Sequence, residues 1–280
     1  KKKKSYREAA AERVWQWLRQ WRRSLKNYPY LFPQHEAFFT DYLAGQDRQC
    51  VQAHAVLLFD SPDKAAGVKQ TLMGDQLAHL LARDDHQELL MEASYFIPGD
   101  AFVAELAEMK QRGGRAAVLT NSLATNDVIA AHGAYARYRD GLLEAGVELH
   151  ELAPNARALH RQVRLFKGRS RASLHTKAMV LDRREVFVGS FNIDPRSVHL
   201  NTEMGYYVAS AELGQQVAAF IEEGLAPENS YRVDKEQGKL TWAGDGHDGR
   251  PLVLHNEPGV TVWRRMLAWL LSLLPIERML

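Results

Sequence analysis

His175, Lys177, Asp182, Gly189, Ser190 and Asn192 fall in one short stretch, spaced H-x-K-x4-D-x6-G-S-x-N. An imidazole can attack phosphorus or shuttle a proton near neutral pH. An ammonium two residues further along an extended strand points to the same face and can hold a phosphoryl oxygen. A Ser and an Asn at the next turn can add neutral hydrogen bonds to the charge that builds in a transition state. At average residue usage, these residues at these offsets arise by chance with odds on the order of one in 10^5. Together they form a kit for phosphoryl transfer.

Competing kits fare worse. A Ser-His-Asp triad drawn through Ser190, His175 and Asp182 would leave Lys177 and Asn192 idle. A purely structural His175 fits poorly, because Lys177 on the same face would be costly to bury. The sequence has no G-x-x-x-x-G-K-[ST] phosphate loop, no H-E-x-x-H helix and no G-x-S-x-G elbow.

The stretch resembles the H-K-D signature of the phospholipase D superfamily. Downstream, Asn192-Ile193-Asp194-Pro195-Arg196-Ser197 and Asn201-Thr202-Glu203 resemble the segment after that signature in bacterial cardiolipin synthases. The resemblance takes in Tyr95-Phe96-Ile97-Pro98-Gly99, and the C-terminal tail is similar to that of the class C type. It implies an α/β fold, a mixed sheet flanked by helices, in which two H-K-D motifs meet across a pseudo-two-fold axis. One His would become a phosphohistidine and the other would protonate the leaving oxygen. The downstream acid, Glu203, would hydrogen-bond His175 and fix its tautomer, with no metal and no cofactor. The implied activity is that of a phosphatidyltransferase. The alternatives are a homodimeric phosphodiesterase or nuclease, and a non-catalytic half that binds membranes.

Of the 11 His residues, only His175 is followed by Lys two positions on. Half of a two-motif site is therefore expected here. The segment from about residue 63 to 207 resembles the second half of a duplicated member, so the favoured expectation is a C-terminal half. The second motif would come from an absent N-terminal half or from another copy.

A net charge of +2 over 280 residues hides a strong asymmetry. Residues 1–26 hold ten Lys or Arg against two Glu. Arg157, Arg161, Arg164, Lys167, Arg169 and Arg171 precede His175 with no acid among residues 152–174. Such clusters serve anionic partners, and Arg164, Lys167, Arg169 and Arg171 are candidates to hold a substrate phosphate or an anionic lipid. Few aromatics interleave that run, so base stacking lacks a platform and nucleic acid is not favoured. Residues 6–26 have the pattern of an amphipathic helix with Trp15, Trp17 and Trp21 among arginines, and the tail from Trp263 to Glu277 is apolar with Trp and Arg at its start. The expected partners are phosphatidylglycerol and other anionic phospholipids at a membrane surface. The expected location is membrane-associated, on the cytoplasmic side of a bacterial inner membrane. No stretch is long enough to span a bilayer, and the single Cys50 allows no disulfide framework.

Three regions are expected: a basic helical segment over 1–49, the catalytic domain over 50–230, and an extension with an interfacial tail over 231–280. Hydrophobic periodicity predicts strands at 51–59, 88–96, 115–121, 147–152, 173–182, 185–190, 204–209, 239–243 and 251–255. It predicts helices at 64–83, 102–111, 130–145 and 213–223. Strand–helix alternation with short joints predicts largely parallel strands.

Overall fold

The runs at residues 89–91 and 116–119 are continuously apolar because both faces of their strands are buried. The structure is a computed structural model that describes residue 16 and residues 51–67, 72–83, 85–154, 156, 173–246 and 248–274. Its strands are β1 (His54–Phe59), β2 (Glu88–Ala93), β3 (Arg115–Asn121), β4 (Glu148–Leu152), β5 (Lys177–Leu181), β6 (Glu185–Gly189), β7 (Met204–Ala209), β8 (Ser230–Glu236), β9 (Lys239–Asp245) and β10 (Pro251–Leu254). They form one ten-stranded sheet in the order β1-β7-β6-β5-β2-β3-β4-β8-β9-β10. The helices are α1 (Leu72–Leu81), α2 (Gly99–Gln111), α3 (Ile129–Ala136), α4 (Arg139–Glu144), α5 (Pro195–His199), α6 (Ala211–Leu225) and α7 (Val262–Ser272).

This is a mixed sheet flanked by helices. Strand alternation sends Leu89, Met91, Val118 and Met179 to one face, under Met73 and Leu77 of α1, Leu106 of α2, Tyr135 of α3 and Leu142 of α4. Leu90, Leu119, Val180 and Val186 face the other way, under Ala218, Ile221 and Leu225 of α6. The expectation of largely parallel strands is corrected. Only β2–β3 and β3–β4 pair in parallel, and the pairs on either side are antiparallel. Parallel neighbours need a crossover, which α2 supplies once and α3 with α4 supply again; elsewhere tight joints impose antiparallel pairing.

Boundaries move for local reasons. The helix expected over 64–83 divides at Gly67 (φ +90), which closes a 3-10 turn over Pro62–Ala66. The helix over 130–145 breaks between α3 and α4. Periodicity predicts no strand at β8, because its alternating SYRVDKE pattern is largely polar. That strand crosses residue 230, and β8, β9 and β10 continue the same sheet. The helix α7 lies on α3 so closely that a Cβ on Gly133 would stand 2.7 Å from the Ala268 carbonyl oxygen. Of the expected N-terminal helix over 6–26, all but residue 16 lies outside the described residues.

The turn between β5 and β6 is centred on Asp182 (φ 50) and Arg183 (φ 54), closed by Arg184 N–H donating to the Leu181 carbonyl at 3.0 Å. Two left-handed central residues match the twist of a tight hairpin. The helix α6 leans on this turn: a Cβ on Gly214 would fall 2.2 Å from the Arg183 carbonyl oxygen. Gly214→Ala is therefore expected to destabilise the fold by ~1–3 kcal/mol through overpacking. Chemical denaturation measures this, and an unchanged midpoint contradicts the close approach.

Candidate active site

The sheet topology gathers one edge. The carboxyl ends of β2 and β3, the start of β5, the end of β6 and the start of β7 all meet there, since Lys177 pairs with Ala93 and Gly189 with Gly205. Ligands of open α/β sheets bind beyond the carboxyl ends of the parallel strands. Asn121, at the end of β3, braces this edge. Its Nδ2 donates to the Ser94 carbonyl at 2.9 Å and to the Leu174 carbonyl at 3.0 Å, while Leu174 N–H donates to Oδ1 at 2.9 Å. One amide thus ties the end of β2 to the residue before His175.

His175 is exposed, and it precedes β5 rather than sitting in it. Lys177 is buried. Its Nζ donates to Ser94 Oγ at 2.9 Å and to the His175 carbonyl at 2.9 Å, and lies 3.4 Å from His175 Nδ1. An ammonium only donates, so Nδ1 is the acceptor in that long contact and a neutral ring carries its proton on Nε2. Burial holds the Lys177 pKa below the ordinary lysine value, against the opposing pull of Glu203, Asp194 and Asp127. Tyr95, next to Ser94, donates its hydroxyl to Asp127 Oδ1 at 2.7 Å.

Glu203 does not reach His175. Its Oε2 accepts from Ser190 Oγ, while Oε1 accepts from Ser197 Oγ at 3.2 Å and Asn201 Nδ2 at 3.1 Å. It serves the site as a charge near Lys177 and as the anchor of the Ser190 hydroxyl. A buried ion pair stands behind it. Lys64 Nζ donates to Asp60 Oδ2 at 2.6 Å and to the Ser197 carbonyl at 2.9 Å, and Glu203 N–H donates to Asp60 Oδ2 at 3.1 Å. Asn192 is buried, its N–H donating to Ser197 Oγ at 3.3 Å. Its Oδ1 is enclosed with no hydrogen-bond partner among the described residues. The structure therefore brings together His175, Lys177, Ser190, Asn192 and Glu203 at one edge.

Asp182 stands apart. It follows β5, roughly 16 Å from Lys177 at strand rise. There Oδ1 accepts from the Gln87 and Glu88 amides at 2.8 and 2.9 Å, and Oδ2 is 2.7 Å from His86 Nδ1. It braces the opposite end of the sheet, too far from His175 and Ser190 to form a triad with them. Arg164, Lys167, Arg169 and Arg171 lie outside the described residues.

Sequence reasoning missed Ser94, Asn121, Asp127 and Asp194 as site residues. Ser94 and Asn121 carry one legible signal, the polar residue that ends an apolar parallel strand. Among the described residues no three His, Cys, Asp or Glu side chains gather as an ion site.

The family described as cardiolipin synthase, PLD-like domain, matches residues 81–224. The chain belongs to this family. Cardiolipin synthase C of Escherichia coli is 36% identical over 266 residues, covering 93% of this chain and 55% of that protein. Cardiolipin synthase A of Pectobacterium carotovorum is 26% identical over 156 residues, 56% of this chain and 28% of that protein. The chain thus spans about half the length of the first relative and less of the second. Among solved structures, Nuc from Salmonella typhimurium, a phospholipase D family member, aligns at TM-score 0.46 and 15% identity, over 65% of this chain and 99% of that one.

In the complete enzyme, His175→Ala and Lys177→Ala are each expected to lower turnover at least ~100-fold. Asp182→Ala instead costs ~1–3 kcal/mol of stability, as three donors lose their acceptor. Turnover per folded molecule then falls far less than in His175→Ala; equal losses would place Asp182 in the chemistry.

Behind the motif, Glu92 of β2 pairs with Ala178 and has Thr176 as its hydroxyl neighbour. Burial pushes its carboxyl up to about 7, and Oε2 is enclosed without a partner among the described residues. A carboxyl raised in the fold stabilises when protonated, and that contribution is lost as pH rises from its unfolded value through about 7. Glu92→Gln should therefore gain on the wild type by ~2–3 kcal/mol more at pH 8 than at pH 5. Denaturant unfolding at both pH values tests this, and a pH-independent difference contradicts it.

Proposed function

We propose that the chain is the C-terminal part of a phosphatidyltransferase of the cardiolipin synthase kind, working at a membrane surface. The observation that carries this reading is the 36% identity to Escherichia coli cardiolipin synthase C across 93% of the chain, with His175 and Lys177 joined at the sheet edge. The second H-K-D motif comes from residues outside this sequence or from another copy.

In this mechanism an imidazole attacks the phosphorus of a phosphatidyl donor and the P–O bond to the leaving alcohol breaks. The partner imidazole gives its proton to that alcohol oxygen, then takes one from the incoming hydroxyl as the phosphohistidine is resolved. As the second motif of a duplicated protein, His175 takes the acid and base role, giving its proton as an imidazolium and taking one back as a neutral ring; in a homodimer one copy acts as nucleophile. Lys177 stands where non-bridging phosphoryl oxygens gather charge, and such a donor stabilises it because the Ser94 hydroxyl and the His175 carbonyl already orient it. No helix among the described residues is long and apolar enough to cross a membrane. The proposed location is the cytoplasmic side of a bacterial inner membrane. The face of α7 provides the contact, with Trp263 75% and Trp269 62% exposed.

Incubating the complete enzyme with labelled phosphatidylglycerol and labelled DNA in parallel decides the reading. Cardiolipin should form, with phosphatidic acid as a hydrolytic side product, and chelator should leave the rate unchanged. Cleavage of DNA without lipid turnover overturns the lipid assignment in favour of a nuclease.

A further inference from the structure

The two faces of the sheet are covered unequally at its β1 end. By register Leu57 stands beside Tyr206 and Tyr206 beside Val188, while Phe59 stands beside Met204. Strand alternation turns all five to the face that carries Val186 and α6, and sends Leu58 and Phe187 the other way, into the core on the α1 side. All five are exposed, Phe59 by 57% and Met204 by 50%. A lone exposed Leu is ordinary. Five large apolar side chains at neighbouring register positions form a continuous strip of the kind that marks a docking surface.

Three constraints identify the occupant. The first is width. The strip is three strands across, about 10 Å between its outer strands, which is the diameter of one helix. The neighbouring part of the same face is already filled by α6, over Leu90, Leu119, Val180 and Val186. The second is continuity with the catalytic edge. Met204 N–H donates to Ser190 Oγ at 3.1 Å, Ser190 N–H donates to the Met204 carbonyl at 2.9 Å, and Asp60, next to Phe59, donates its N–H to the Glu203 carbonyl at 2.9 Å. A body seated on the strip therefore reaches the edge where His175 needs a second imidazole. The third is the open side of β1. It is the end strand, so its outer amides and carbonyls pair with no other strand of the sheet. Hydrocarbon cannot answer such groups, so the strip suits a protein rather than a bilayer. In Escherichia coli cardiolipin synthase C the matched region is 55% of the protein, leaving nearly as much again outside the match.

We propose that the strip formed by Leu57, Phe59, Val188, Met204 and Tyr206 docks the part of the complete enzyme that carries the second H-K-D motif. That part seats a helix beside α6 and brings its imidazole opposite His175. The inference rests on the half-site reading above and adds to it the face on which the halves meet.

The test compares alkylation of an introduced thiol in the 280-residue chain and in the complete enzyme, read at its own peptide by mass spectrometry. Leu57→Cys places the thiol within the strip; Val253→Cys, exposed on β10 at the other end of the sheet, is the reference. Neither substitution empties the core, and an unchanged unfolding midpoint checks this. In the 280-residue chain, diluted until it sediments as a monomer, the two thiols should react at similar rates. In the complete enzyme without lipid, the thiol of Leu57→Cys should react at least ~10-fold more slowly than that of Val253→Cys. Equal rates there overturn the proposal. So does protection that appears only with phosphatidylglycerol vesicles, which gives the strip to the bilayer. Protection that rises with concentration in the 280-residue chain and is absent from the dilute complete enzyme also overturns it, in favour of a second copy. Cardiolipin formation is assayed on the same samples. Turnover without protection refutes the docking face alone, and protection without turnover upholds that face while refuting the lipid reading.

Discussion

A buried ammonium organises the catalytic edge. Lys177 is taken out of water at the start of β5, and an ammonium so placed is tolerable only when its protons are answered and opposite charges stand near. The Ser94 hydroxyl and the His175 carbonyl answer two of them, and Glu203, Asp194 and Asp127 supply the field. Each of those groups arrives from a different part of the chain. Their convergence requires β2 beside β5, β6 running back to β7, and the loop after β3 folded over the edge. The sheet order is what makes the buried charge tolerable.

The same sheet explains why the H-K-D spacing spans two different tasks. His175 just precedes β5, Lys177 opens it and Asp182 follows it, so four strand residues separate the Lys177 edge from a structural one. At the far edge Asp182 closes a tight hairpin and fastens the start of β2 through two amides and His86. The spacing that looks like one catalytic constellation in the sequence is a strand seen end to end. Its far residue fixes the register on which the near pair depends.

Much of this was legible in the sequence, and the gaps have physical causes. Spacing alone identified His175 and Lys177, and apolar runs located β2, β3, β5 and β6, because burial on two faces leaves a strong imprint. The largely parallel sheet failed because local periodicity does not specify partners: β5 could have joined the sheet in either direction. The polar strand β8 left no apolar run to detect. Ser94, Asn121 and Asp127 were invisible as site residues because they lie 83, 53 and about 50 positions from the groups they serve. Glu203 was found by resemblance, yet the expected bond to His175 is replaced by Ser190, Ser197 and Asn201, a choice made by the loop around α5.

One imidazole cannot attack phosphorus from one side and protonate the leaving oxygen on the other, so an active site built from this motif alone is half complete. Sedimentation combined with turnover on the same samples tests that most directly. The account predicts that the 280-residue chain as a monomer is inactive, and that activity tracks the fraction paired with a second H-K-D motif, from another copy or a partner segment. Full turnover by a strictly monomeric chain would contradict it.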